Sequence, residues 1–302
     1  MTDAAIETVD LRKSYDATEA LRGLTLAVPR GSICGFLGRN GSGKTTTLKV
    51  LLGMARPTSG VARVFGLPVD RAEASVEIRR RTGFVSEGKD LYDQMTVGEM
   101  ATFTASFYPR WRRDLEQRYL ALFELARERS IKTLSLGMRS KLALLLALCR
   151  GTEMLILDEP TTGLDPAAIE QMLQAVVSHA AGGATVFFSS HQIAEVEQIA
   201  DRVVILARGR AVVDAALDDL RVQYRRVHFV FDGEAPHPTF RAAGVAGVKH
   251  SAREIAVLTG GDADAVIAEG RRLGAVAVET RPVSLKDIFL ESVNRDDTPG
   301  SG

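Results

Sequence analysis

A phosphate-binding pattern, G-x-x-x-x-G-K-[ST], is matched by the eight residues Gly38-Arg39-Asn40-Gly41-Ser42-Gly43-Lys44-Thr45. The flanking residues predict a buried strand over 32–37 and a helix that opens at Thr45 and Thr46. A glycine loop between a strand and a helix N-terminus directs several backbone N–H groups at one point, which suits a triphosphate. Lys44 is placed to reach the β- and γ-phosphates, and the Thr45 hydroxyl to ligate Mg²⁺. A chance match by a Gly/Ser-rich turn is disfavoured because both flanking elements are predicted.

A second pattern is an apolar run that ends in two acids, Met154-Leu155-Ile156-Leu157-Asp158-Glu159. It predicts a central parallel strand whose carboxyl end carries carboxylates, and ligands of open α/β sheets bind at that edge. Asp158 is suited to hold Mg²⁺, and Glu159 to polarise an attacking water. Two adjacent acids could also be merely solvated, but the phosphate loop makes that interpretation the weaker one. Of the five histidines, only His191 ends a predicted buried strand, residues 185–189.

Two further positions are ambiguous when they are taken on local sequence alone. Tyr15 lies ahead of the phosphate loop, where its ring could stack on an adenine or pack on a sheet edge. Ser135 and Gly137 precede a predicted apolar helix over 138–149, and free N–H groups at such a helix start can meet an anion. For Ser135 the ordinary role of a helix N-cap is the favoured interpretation.

The elements that must position these residues alternate between strands and helices. Residues 5–30 predict two or three short antiparallel strands, and residues 60–69 continue that sheet. A capping box at Thr96 and Glu99 opens a predominantly helical region over residues 88–150. Residues 216–294 predict a small α/β appendage, and residues 295–302 a disordered tail. Within the appendage, strands are predicted at 227–231, 248–257 and 276–280, and helices at 263–273 and 284–293.

Composition predicts a soluble globular protein. The chain of 302 residues is 45% hydrophobic and 25% charged, and its formal net charge is zero, so no global field favours nucleic acid. The longest apolar run, residues 142–149, is far below the roughly 18 residues of a membrane span. The N-terminus lacks a signal-peptide pattern. Cys34 and Cys149 lie in apolar surroundings, which favours buried thiols and a reducing cytoplasm.

Taken together, these motifs resemble the ATP-binding cassette (ABC) ATPases over residues 5 to about 215. Leu134-Ser135-Leu136-Gly137-Met138 is similar to the family signature L-S-G-G-Q, Gly163-Leu164-Asp165 resembles its D-loop, and His191 its switch histidine. The resemblance implies an α/β fold, a P-loop NTPase with an antiparallel β edge. In this arrangement residues 1–215 form the ATP-binding domain, and the helical subdomain 88–150 is inserted in it. An accessory domain over residues 216–294 follows.

The resemblance also implies how the site works. Two cassettes stack head to tail, so that Ser135 and Gly137 face the γ-phosphate bound by the partner cassette. ATP is contacted by the phosphate loop, by Asp165 and, through its adenine, by Tyr15. Lys44 and His191 contact the γ-phosphate, and Glu159 orients the water. Mg²⁺ is held by Thr45, Glu87 and Asp158.

Two departures from the family pattern bear on turnover. Glu87 stands where the family usually has glutamine, and this carboxylate can ligate Mg²⁺ but adds negative charge beside the phosphates. Leu136 and Met138 replace a glycine and the glutamine of the signature. These departures motivate one alternative function, that of a low-turnover partner in a heterodimeric transporter.

Three segments resemble the bacterial drug- and antibiotic-exporter branch, namely residues 91–97, 107–111 and 283–290. The resemblance implies an ATP-hydrolysing subunit that powers a separate transmembrane permease from the cytoplasmic face of the membrane. It pairs with a second ABC subunit, identical or not, and the balanced charge of the chain predicts no nucleic-acid partner. The other alternative is a regulatory or resistance ATPase that acts without a permease, although such proteins usually carry two cassettes in one chain.

Overall fold

The computed structural model describes the backbone of residues 3–297 and the side chains of residues 3–293. The chain divides into two compact units, Met1–Asp214 and Ala215–Gly302. Its strands are β1 (Ala4–Tyr15), β2 (Thr18–Pro29), β3 (Ile33–Gly38), β4 (Ser59–Val64), β5 (Leu67–Pro68), β6 (Thr82–Val85), β7 (Met154–Asp158), β8 (Thr185–Ser190), β9 (Arg202–Ala207), β10 (Arg210–Ala216), β11 (Arg225–Val230), β12 (Val245–His250), β13 (Glu254–Thr259) and β14 (Ala277–Pro282). Its α-helices are α1 (Lys44–Leu51), α2 (Ala72–Arg81), α3 (Val97–Ala105), α4 (Arg113–Leu122), α5 (Leu136–Leu148), α6 (Pro166–Ala181), α7 (Ile193–Ile199), α8 (Leu217–Gln223), α9 (Ala263–Arg272) and α10 (Leu285–Asp297).

The central sheet of the first unit has the strand order β10-β9-β3-β8-β7-β6. Every residue of β3, β7 and β8 is buried, as expected for parallel strands covered on both faces. Their register places Leu37 opposite Ser190, and Asp158 opposite Ser189. The carboxyl ends of these three strands therefore lie side by side at one edge, and the prediction of buried strands at these positions is confirmed.

A second, antiparallel sheet has the order β2-β1-β4-β5. Its first two strands have 12 residues each and are longer than predicted, because register shifts near Asp10 interrupt the alternation of apolar and polar residues. Helix α1 contacts strands of both sheets, and Leu48 and Leu51 are fully buried in a core that includes Ile6 and Ile156. The helix that follows the phosphate loop is thereby held between two sheets.

The predicted helical region lies between β6 and β7 and contains α3, α4, a 3-10 turn (Ile131–Thr133) and α5. Its capping box is confirmed: the Glu99 N–H donates to Thr96 Oγ1 at 3.2 Å, and the Thr96 N–H to Glu99 Oε2 at 2.7 Å. Cys149, just after α5, is buried, and burial raises the pKa of its thiol to about 12. No helix in residues 3–297 is long and apolar enough to cross a membrane.

The second unit has a four-stranded antiparallel sheet with the order β12-β13-β11-β14. The single strand predicted over 248–257 is wrong, because Ser251 and Glu254 exchange backbone hydrogen bonds and close a hairpin between β12 and β13. The turn has no glycine or proline, so alternation alone did not reveal it. Helix α8 was not predicted. Of the predicted tail, residues 295–297 belong to α10, and residues 298–302 lie outside the described residues.

Candidate active site

The phosphate loop runs from the end of β3 to the start of α1, which begins at Lys44. Gly41 and Gly43 have φ angles of +79° and +110°, in the region that favours glycine. Gly43 is the N-cap of α1 and has no side chain to bind the amides of the first turn. The uncapped helix start can therefore present its N–H groups to an anion.

A cleft of about 640 Å³ opens at this loop. Its lining includes ten residues predicted for the site: Arg39, Asn40, Gly41, Gly43, Lys44, Thr45, Thr46, Glu87, Glu159 and His191. Ala20 and Thr162 complete the lining. The fold thus brings the loop, the acidic strand end and the histidine into one cleft. The predicted residues that do not line it are Tyr15, Gly38, Ser42, Ser135, Gly137, Asp158 and Asp165.

Lys44 joins the loop to the acidic strand end. Its side chain is almost fully buried, its Nζ donates to the Gly38 carbonyl oxygen at 2.8 Å, and it lies 3.3 Å from Glu159 Oε1. A buried ammonium needs such partners, since leaving it unpaired would be costly. The contact fixes the cation at the floor of the cleft, where a bound anion would meet it.

Both acids at the end of β7 are held by Ser189 of β8. The Ser189 hydroxyl donates to Asp158 Oδ1 at 2.7 Å and accepts from the Glu159 N–H at 3.1 Å. Glu159 has a φ of +47°, a left-handed conformation that is costly for a residue with a side chain. The chain therefore turns sharply at Glu159, which lines the cleft, whereas Asp158 is the buried last residue of β7.

His191 closes the other side of the Glu159 carboxylate. Its Nδ1 lies 2.7 Å from Glu159 Oε2, and its backbone N–H donates to the same oxygen at 3.3 Å. The imidazole is half exposed and belongs to the lining of the cleft. One carboxylate thus lies between a lysine and a histidine that come from two other strand ends.

Sequence patterns missed three residues around Glu159. Ser189 was predicted to lie in a strand but was given no function. Thr162, between the two acids and the D-loop in the sequence, was given none either. Lys89 is buried, its Nζ donates to the Glu159 carbonyl oxygen at 3.2 Å, and burial lowers its pKa. Lys89 lies two residues from Glu87, which was the one available signal in the sequence.

Ser135 and Asp165 act as helix caps in this chain. The Ser135 hydroxyl accepts from the Met138 N–H at 3.2 Å, and Asp165 Oδ1 from the Ala168 N–H at 2.9 Å. The N-cap role predicted for Ser135 is therefore observed. Its hydroxyl accepts in this contact, so the hydroxyl proton is still available to a bound anion. Ser135 and Leu136 are exposed, so this helix start faces away from the protein interior.

Tyr15 ends β1 with 43% of its surface exposed. The Lys13 ammonium lies 4.6 Å from the centroid of its ring. This ring is neither part of the cleft lining nor buried against the sheet, so adenine stacking stays a prediction.

Asp158 and Glu87 suit a metal ion that takes its remaining ligands from phosphate and water. In residues 3–293 no group of three or more His, Cys, Asp or Glu side chains converges as a metal site. Mg²⁺ commonly uses one or two carboxylates together with phosphate oxygens and water. Asp158 at the strand end, and Glu87 and Thr45 in the cleft lining, provide a donor set of that kind. These residues fit the ion as a companion of bound nucleotide.

The fold and this site define a P-loop nucleoside-triphosphatase. Residues 21–162 match the ABC transporter family. The bacitracin transport ATP-binding protein BcrA of Bacillus licheniformis is 37% identical over 224 residues, which are 73% of this chain and 72% of that protein. The Nod factor export ATP-binding protein I of Rhizobium meliloti is 31% identical over 308 aligned positions, 97% of this chain and 89% of that protein.

A solved structure, described as the ATP-binding subunit of an ABC transporter, is 32% identical with a TM-score of 0.66. The match covers 72% of this chain and 92% of that one. The chain belongs to the family of ABC transporter ATP-binding proteins, and it binds and hydrolyses ATP. Subunits of this family dimerise and work with membrane permeases.

We predict that Gly43→Ala weakens ATP binding at least about tenfold, or ~1.4 kcal/mol. A Cβ there would stand 2.7 Å from the Ala20 carbonyl oxygen and 2.9 Å from Leu21 Cδ2, which forces the loop to move. The matched control is Gly183→Ala, with a φ of +94° and no atom within 4 Å of its added Cβ. Calorimetric titration with ATP measures both, and wild-type affinity in Gly43→Ala would remove the loop from the binding site.

Proposed function

We propose that this chain is the ATPase of an exporter whose permease is a separate chain, and that it works on the cytoplasmic face of the membrane. The observation that carries the catalytic part is the Glu159 carboxylate, held 3.3 Å from Lys44 and 2.7 Å from His191 at the phosphate loop. The similarity to proteins named for bacitracin transport and Nod factor export supports the direction of transport.

The residues of the cleft divide the work of phosphoryl transfer. Loop amides and Lys44 bind the β- and γ-phosphates, while Thr45, Asp158 and Glu87 would hold Mg²⁺, which neutralises phosphate charge when bound. Glu159 orients the attacking water, because it is the carboxylate of the cleft that lies between Lys44 and His191. His191 and Lys44 stabilise charge on the γ-phosphate in the transition state.

A second cassette supplies the other face of the site. Ser135, Gly137 and Asp165 do not line the cleft of their own chain, and the helix start at Ser135 is exposed. We assign this helix start to the γ-phosphate bound by the partner cassette. ATP is then a ligand of the closed dimer and shifts the population toward it.

Permease docking is assigned to an aromatic cluster of Tyr92, Phe103 and Phe107. The Phe103 ring makes edge contacts with both others, at centroid distances of 5.8 Å to Tyr92 and 5.1 Å to Phe107. Between 40% and 64% of each residue's surface is exposed. Contiguous exposed aromatic surface marks an interaction site in a soluble protein. The segment that carries Tyr92 follows Glu87, so docking and the cleft are linked along the chain.

We predict that Glu159→Gln lowers the rate of ATP hydrolysis at least about 100-fold, because the amide cannot serve as a base. ATP binding is retained, since the loop is unchanged. The control is Glu170→Gln, an exposed acid on α6. Steady-state phosphate release measures the rate, and wild-type turnover in Glu159→Gln would exclude the catalytic role. If the unmodified protein itself hydrolyses ATP at a rate near background while it binds ATP with normal affinity, the low-turnover partner suggested by Glu87 in the cleft would be favoured instead.

Mixing two inactive variants tests whether the site is shared between chains. Lys44→Ala removes the loop cation, and Gly137→Asp puts a negative charge at the helix start. A mixed dimer has one site with both defects and one site with neither, so mixing restores hydrolysis above the sum of the separate variants. A titration of one variant into the other measures the gain. No gain at any ratio would show that each site is complete within one chain.

We predict that Phe107→Ala weakens the complex with the permease at least about tenfold, as expected for an aromatic anchor at an interface. ATP hydrolysis by the isolated subunit is unchanged, because Phe107 is 64% exposed and outside the cleft. Co-purification with the permease from detergent-solubilised membranes measures the loss. Val177→Ala, which truncates an exposed residue of α6, serves as the control. Equal recovery of both variants would place docking elsewhere.

A further inference from the structure

A buried carboxyl group lies against the segments that carry Glu159 and His191, and it has no role in the chemistry described so far. Glu195 of α7 is 4% exposed. Its Oε2 accepts from the Thr161 hydroxyl at 2.7 Å and from the Ser190 hydroxyl at 3.2 Å. Its Oε1 has no hydrogen-bond partner among the described residues. Burying such a group is costly, and burial raises the pKa of Glu195 although both hydroxyls oppose the shift.

The two hydroxyls belong to the two segments that carry the acid and the histidine. Thr161 lies two residues after Glu159 in the turn beyond β7, and Ser190 lies immediately before His191 at the end of β8. The Ser190 hydroxyl also accepts from the Gln192 N–H at 2.9 Å, which ties the start of α7 to the same point. A single oxygen of Glu195 therefore joins two chain segments at one point, and the Glu159–His191 contact joins them at a second point within the cleft.

We infer that Glu195 is a positioning residue for ATP hydrolysis, which fixes the Thr161 segment against the Ser190 segment and so sets Glu159 against His191. This inference rests on the proposed function. Glu159 is in a left-handed conformation, which persists only where surrounding contacts over-determine it. Thr161 lies in the turn that holds Glu159, where the Thr162 N–H donates to the Glu159 carbonyl oxygen at 3.4 Å. Without Glu195 the buried Thr161 hydroxyl loses its acceptor, and this turn loses its anchor to α7. A displacement of about 1 Å at a catalytic group can lower the rate about 100-fold.

The use of one oxygen for both hydroxyls makes the inference testable by shape-matched variants. Glu195→Gln keeps a carbonyl oxygen that can accept from Thr161 and Ser190, and its amide nitrogen takes the place of the unpartnered Oε1. Glu195→Met has a similar length and offers no comparable acceptor. If the acceptor is what matters, the two variants separate, whereas a role in filling space would affect them alike.

The experiment is steady-state hydrolysis and ATP binding by the full chain. We expect Glu195→Met to lower kcat at least about tenfold while KM for ATP stays within about threefold, and Glu195→Gln to keep kcat within about threefold of wild type. Thr161→Val should lower kcat by the same factor as Glu195→Met. The double variant should lower kcat no further than either single variant, because both substitutions remove the same hydrogen bond. Thr161→Ser, which keeps the hydroxyl, retains turnover and serves as a matched control. Should Glu195→Met fail to fold, the Val and Ser variants of Thr161 carry the same comparison.

Three results would overturn the inference. The first is a wild-type kcat in both Glu195→Met and Thr161→Val. The second is an equal loss of kcat in Glu195→Gln and Glu195→Met. The third is a rise of KM together with a fall of melting temperature that accounts for the lower rate. The Glu159→Gln variant separates this failure from a failure of the proposed function. Loss of turnover in Glu159→Gln with full turnover in Glu195→Met removes the inference alone. A wild-type protein that binds ATP without turnover would remove the catalytic proposal and this inference together.

Discussion

The structure depends on the pairing of a buried lysine with a buried carboxylate at one edge of the parallel sheet. Lys44 and Glu159 are both under 10% exposed, and each would be costly to bury alone. Their contact requires that β3 and β7 end at the same level, which the register of both strands with β8 ensures. The site is therefore a consequence of how the core is assembled.

The core explains why this edge is rigid enough for chemistry. Strands β3, β7 and β8 have no exposed residue, and Phe36 packs on Phe187 across two of them with ring centroids 5.0 Å apart. Helix α1 is held between the two sheets of the first unit. Side chains in a close-packed interior have few alternatives, so a group placed at the sheet edge keeps its position.

The departures from the family signature have a structural counterpart. Leu136 occupies a position where the family has glycine, and a Cβ added at Gly163 would meet its Cδ2 at 2.8 Å. The larger residue in the helix start is thus accommodated by a glycine in the segment that leads to Asp165. The start of α5 and the D-loop are also close at a second point, because a Cβ added at Gly137 would lie 3.5 Å from Leu164 Cδ2.

Local pattern was enough for the phosphate loop, the acidic strand end, the capping box at Thr96 and the buried strands, since each of these depends on neighbours within a few residues. The three-dimensional fold decided the rest. Only strand pairing between distant segments puts Glu159 between Lys44 and His191, and only the packing of α7 places Glu195 under Thr161 and Ser190. The hairpin inside residues 248–257 was not predicted for a different reason: its turn is local, but it is closed by backbone hydrogen bonds and contains no glycine or proline. Periodicity reports which face of an element is buried, whereas the partner of a buried polar group is chosen by chain segments far away in sequence.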